Sequence, residues 1–178
     1  MQRGRRLVFL GFGAVAAGAP ALWWASRPAA LQSPAFDSTE GALRTLASLR
    51  TRPAQTTGAW DLSRVLHHAA QSVEYSISGY PEPKPAWFRT SIGPAAAAVF
   101  SARGRMHHAL DEPIPGAPGI AHGQPLGPAV ARAMAALQAF EQHAGPLQPH
   151  FAYGALDKAD YRRAHLMHFA NHWDEVVA

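Results

Sequence analysis

The chain reads as all-α, one domain of four or five helices preceded by a separate apolar segment. Three observations predict this. Apolar residues recur at intervals of three and four in several stretches, no stretch alternates apolar and polar residues as a half-buried strand does, and proline- and glycine-rich breaks divide one helical stretch from the next. At 178 residues with 48% hydrophobic content, the chain suits one domain with a sizeable core.

The first thirty residues stand apart. Arg3, Arg5 and Arg6 precede an uncharged apolar stretch from Leu7 to Ala25, and small residues and prolines follow. This is the pattern of a targeting segment. Arg5 and Arg6 followed by Phe9 and Leu10 resemble a twin-arginine export signal, with the phenylalanine one place later than usual. Ala19-Pro20-Ala21 and Ser33-Pro34-Ala35 both offer small residues for cleavage, while the apolar stretch is also long enough to span a bilayer as a retained anchor. Residues 1–30 are therefore expected to be a signal peptide or membrane anchor, 31–36 a linker, and 37–178 the helical domain. The expected location is the periplasm, either free or anchored to the inner membrane, with membrane contact only through this segment.

Within the domain, Asp37 and Ser38 offer a cap and Glu40 falls in the first turn of GALRTLASLR, where Leu43, Leu46 and Leu49 repeat every third residue. Trp60 and Asp61 open a second helix. Leu62, Val65, Leu66, Ala69, Val73 and Ile77 form its apolar stripe, and Gly79 ends it. His68 falls on the inner side with Val65, Ala69 and Ser72, whereas His67 falls with Ser63, Gln71 and Glu74, which are expected to face outward. PEPKP breaks the chain, and a third helix is expected to start near Pro94, where a proline fits a first turn. From Asp111 to Pro128 five prolines and four glycines make a long surface connection of the kind that lines sites. AVARAMAALQAFEQH then gives a helix ended by Gly145 and Pro146, and Asp157 caps the last one, KADYRRAHLMHFANHWDEV.

Charge and cysteine content exclude several function classes. The formal charge is +4, but Arg3, Arg5, Arg6 and Arg27 are the only charges before Asp37, and setting them aside leaves 12 basic against 12 acidic residues. Such an electroneutral domain has no basic stripe to follow a phosphate backbone, so nucleic acid is not an expected partner. With no cysteine, the chain has no disulfide, no thiolate ligand, no cysteine nucleophile and no lipoprotein anchor. Ser72 has no histidine and aspartate in a recognisable order around it, and PIPGAPG lacks the lysine of a phosphate-binding loop.

The histidines carry the chemistry that remains. His165, His168 and His172 share one face of the last helix, and residues four apart there sit roughly 5–6 Å apart at Cβ, close enough to share an ion. A further ligand must come from elsewhere, and His67 and His68 on the second helix are the available donors. Glu74 is a candidate carboxylate for orienting an imidazole. His107 and His108 read as surface or loop residues. Imidazole suits zinc, nickel, copper or iron, and spacing alone does not choose between His165 and His168.

The runs VLHHAAQSVEYSISGYP, HFAYGALDKADY and AHLMHFANHW, in that order, resemble the DinB/YfiT-like superfamily of four-helix bundles. Within it they are most similar to the domain-of-unknown-function family numbered fifteen sixty-nine, over roughly Phe36 to Val176. The resemblance implies a four-helix bundle holding a divalent metal, zinc or nickel foremost, on His68, His168 and His172. His165 is additional to that pattern, either a fourth ligand or a neighbour of the site. Asn171 stands where the family pattern has a histidine adjacent to the last ligand. Superfamily members include transferases and isomerases using small thiols, so the resemblance implies a metal-activated thiolate or water acting on a small-molecule substrate. An exported location disfavours the thiol. Glu74 and His165 are then the candidate proton carriers, in a metal-dependent transferase or hydrolase. The rival class is a non-catalytic metal- or ligand-binding bundle, with a bis-histidine haem protein as a remoter version. Oligomerisation is left open.

Overall fold

The computed structural model describes residues 28–52 and 54–177, so nearly all of the expected signal or anchor segment lies outside the described residues. Among those residues the fold is mainly helical. Six α-helices are present: α1 (Thr39–Ser48), α2 (Leu62–Ser78), α3 (Ala86–Thr90), α4 (Ile92–Arg103), α5 (Leu126–Gln142) and α6 (Lys158–Trp173). No helix among them is long and apolar enough to cross a membrane.

Side-chain caps start the three helices for which the sequence signals them. Ser38 Oγ accepts from Gly41 N at 3.0 Å, Asp61 Oδ1 from Arg64 N at 2.8 Å, and Asp157 Oδ1 from Asp160 N at 2.8 Å. α2 ends at Gly79, whose φ of +103° is a conformation glycine adopts without steric cost. Helices α1, α2, α5 and α6 share one core. Leu46 of α1, Leu66 and Val73 of α2, Leu137 and Phe140 of α5, and Tyr161, Leu166 and Phe169 of α6 all belong to it. Ala69 and Ala70 of α2 and Ala129, Ala133 and Ala136 of α5 belong to the same core, and such small side chains permit a close approach of these two neighbouring helices. Phe36, at the end of the expected linker, is fully buried. It stacks on Phe169 with ring centroids 5.7 Å apart and meets the edge of Trp173 at 5.1 Å.

Three local expectations are corrected. The pair β1 (Gln55–Thr56) and β2 (Val176–Val177) forms a small antiparallel sheet, and two-residue strands are too short to leave an alternation pattern in the sequence. α3 has no counterpart among the expected helices, because a five-residue helix has no periodicity to read and is marginal by itself. Arg89 Nε donates to Lys84 O at 2.9 Å, which ties the helix to the segment just before it. Ser63 and Gln71, expected to face solvent, are buried. The Pro/Gly-rich connection lies over them: Gln71 Nε2 donates to Pro118 O at 3.2 Å, and Gly123 N donates to Asp61 Oδ2 at 2.8 Å.

Candidate metal centre

α2 and α6 bring together three imidazoles, His68 from the former and His168 and His172 from the latter, about a hundred residues further along the chain. His68 Nε2 lies 3.1 Å from His168 Nε2, which lies 3.2 Å from His172 Nε2, and one ligand atom from each ring falls within 4.8 Å of the others. The three residues are 4%, 9% and 1% exposed. Two nitrogens on a tetrahedral ion with bonds of about 2.0–2.1 Å stand about 3.3–3.4 Å apart, so this spacing fits an ion within a few tenths of an ångström. It fits a hydrogen-bonded triad less well. His168 Nε2 would have to share its one proton or one lone pair between two partners, which weakens both bonds.

Burial, then the like charge of neighbouring imidazoles, disfavours protonation of all three. His68 is pushed down to about 4, His172 to about 2, and His168 well below its ordinary value. Neutral rings are the form that binds a metal. With Nε2 turned to an ion, the protons reside on Nδ1. His68 Nδ1 and His172 Nδ1 are buried without a hydrogen-bond partner among the described residues, so no carboxylate orients these two rings. Packing does so instead. The indole of Trp60 meets His68 edge-on at 5.1 Å and lies parallel to His172 at 6.4 Å.

The other sequence candidates, Glu74 and His165, are not among the converging ring nitrogens. Glu74 forms a two-pronged pair with Arg132, at 2.8 and 2.6 Å, and that guanidinium stands 3.4 Å from His67 Nδ1. A carboxylate held this way does not orient His68. His165 is 2% exposed and packs against Phe140 at 5.0 Å and Tyr161 at 5.4 Å. A helical rise of 1.5 Å per residue sets it roughly 4.5 Å along α6 from His168, on the side away from His172.

His108 lies in a loop, as expected, but it is half-buried and that loop carries it to the triad. Its ring centroid is 4.9 Å from that of His168 and 5.2 Å from that of His172. Nδ1 lies 2.7 Å from Ala109 O and donates to it, which leaves a lone pair on Nε2, buried and without a partner. Asn171 Nδ2 reaches the His108 carbonyl at 3.4 Å. No periodicity marks this loop, so only tertiary structure could bring His108 to the site. Beside the triad is a cavity of about 240 Å³, whose wall includes His68, His168, His108, His165 and His150.

Residues 29–178 match the family described as "Protein of unknown function (DUF1569)". The chain belongs to that family. The DUF1569 region thus contains both histidine-bearing helices, the loop of His108 and the turn of His150, and it begins where the apolar N-terminal segment has ended. No curated protein and no solved structure matches the chain.

Proposed function

We propose that this DUF1569 protein is an exported, DinB-like four-helix bundle, formed by α1, α2, α5 and α6, that holds a divalent metal on His68, His168 and His172. Zinc or nickel is the ion that suits three neutral imidazoles, and the centre serves transferase or hydrolase chemistry on a small molecule. The observation that carries the reading is the meeting of three neutral ring nitrogens, from two helices, at separations of 3.1 and 3.2 Å. Three protein ligands leave a fourth position for water or substrate, and a bound ion acidifies that water or polarises a substrate oxygen. Two of the three ligand rings line the neighbouring cavity, which gives that position a chamber. The paired arginines before Leu7–Ala25 support export, and location outside the cytoplasm favours water over a small thiol as the nucleophile.

Elemental analysis of the untagged full chain tests the reading. It predicts one equivalent of a transition metal, released by a chelator. A purely structural ion, the non-catalytic alternative, is favoured by the burial of all three rings between α2 and α6. The two differ on chelation. A structural ion takes most of the thermal stability with it, whereas a catalytic ion leaves helicity and the unfolding midpoint nearly intact.

A further inference from the structure

We propose that the cavity beside the triad binds a small carboxylate, and that the Nε2–H of His150 is the protein donor that receives it. The proposal rests on the metal reading only for the ion's share of the positive charge in the cavity.

His150 opens a turn closed by its own backbone. His150 N donates to Gly154 O at 2.8 Å, and Gly154 N donates back to His150 O at 3.2 Å. Inside the turn, the backbone N–H groups of Ala152 and Tyr153 both donate to His150 Nδ1, each at 3.1 Å. A ring nitrogen that accepts two N–H groups carries no proton, so in the neutral ring the proton is on Nε2. Burial keeps the ring neutral, pushing it down to about 3.

That Nε2–H has no hydrogen-bond acceptor among the described residues: the rings of Tyr80 and Tyr161 are neighbours, with centroids 5.0 and 6.1 Å away, but neither hydroxyl bonds to it. Unlike the unpartnered nitrogens of His68, His108, His165 and His172, His150 Nε2 is not sealed by protein atoms, and the ring lines the cavity. A cavity occupant therefore supplies the missing acceptor. The donor is also held still. Tyr153 stacks on the ring at 4.3 Å and 8°, and Gly154, at φ +77°, lets the turn approach so closely that a Cβ there would stand 2.4 Å from Arg89 O. A donor fixed before binding loses little freedom when it binds.

Charge chooses the acceptor. A metal dication on the triad would outweigh the single carboxylate of the cavity wall among the described residues, that of the exposed Glu112, while Lys84, also exposed, belongs to the same wall with its ammonium over the Phe88 ring. Met106, Ile114 and Tyr153 give the apolar surface that a short hydrocarbon body needs. A carboxylate with such a body matches this lining in both charge and polarity.

The test uses the full chain labelled with ¹⁵N-histidine, zinc-loaded and metal-free, with butyrate as the probe. The expected result is a His150 resonance of the Nε2–H tautomer that moves saturably as butyrate is added. His150→Asn, whose side-chain oxygen still accepts from the two amides, is expected to weaken butyrate binding about tenfold or more without lowering zinc content. An unprotonated Nε2, a resonance that butyrate does not move, or unchanged butyrate affinity in the variant overturns the proposal. The resonance is read on the unsubstituted chain, so the proposal remains refutable even if the variant fails to fold. Zinc absent with the resonance still moved refutes the metal reading and supports this one, whereas zinc held with the resonance unmoved refutes this one alone.

Discussion

Replacing His172 is the sharpest perturbation of the proposed centre. Apparent binding energies for structural zinc are about 10–16 kcal/mol over four ligands, or about 3 kcal/mol for each, so losing one of three imidazoles should weaken the ion by about two orders of magnitude. His172 is 1% exposed, and truncation to alanine also opens a void in the packing against Trp60, for which large-to-small core changes cost about 2–5 kcal/mol. Removing a ring whose Nδ1 has no partner offsets part of that loss. The two effects separate when His172→Leu, which keeps most of the volume, is measured beside His172→Ala. Competition against a chromophoric chelator reads the affinity, and thermal unfolding of the metal-free proteins reads the packing. Both variants should lose metal to the same extent, and the leucine variant should keep more of the fold. If either variant folds and retains a full equivalent of metal at unchanged affinity, His172 is not a ligand.

Acid should unfold the metal-free protein. His150 and His165 sit at about 3 when folded, against about 6.5 when unfolded, so between those values the unfolded chain binds more protons, and stability falls as pH drops, by about 1.4 kcal/mol per pH unit for each ring. Denaturant titrations at a series of pH values below 6.5 check this, and a flat profile down to pH 4 contradicts it. Glu74→Gln should cost no more than about 1 kcal/mol, because the pair with Arg132 is more than a third exposed and screened, and zinc affinity should be unchanged. A large loss of zinc in that variant restores Glu74 to the site. Asp61→Ala removes the cap of α2 and the anchor of the Gly123 loop, and calorimetry should find a loss of about 1–2 kcal/mol.

How much was legible depends on how local each signal is. Helix ends were readable because a cap is a contact between residues three apart: Asp61 with Arg64 N, and Asp157 with Asp160 N. The inner side of α2 was readable because burial on a helix follows a period of 3.6, which placed His68 with Val65, Ala69 and Ser72. The same rule failed for Ser63 and Gln71. Periodicity says which residues share a face, but not that a proline-rich loop from elsewhere in the chain will cover it.

The composition, the helical stretches and the spacing of His168 and His172 were therefore properties of the sequence by itself, each set by neighbours within a turn or two. Spacing left His165 and His168 open and the family resemblance favoured His168, whereas that Glu74 belongs to Arg132, that His108 reaches the triad and that His150 keeps its proton on Nε2 were decided only by the tertiary structure. Each of these depends on groups that become neighbours once the core of α1, α2, α5 and α6 has fixed the distances between segments far apart in the chain, and no local pattern encodes those distances.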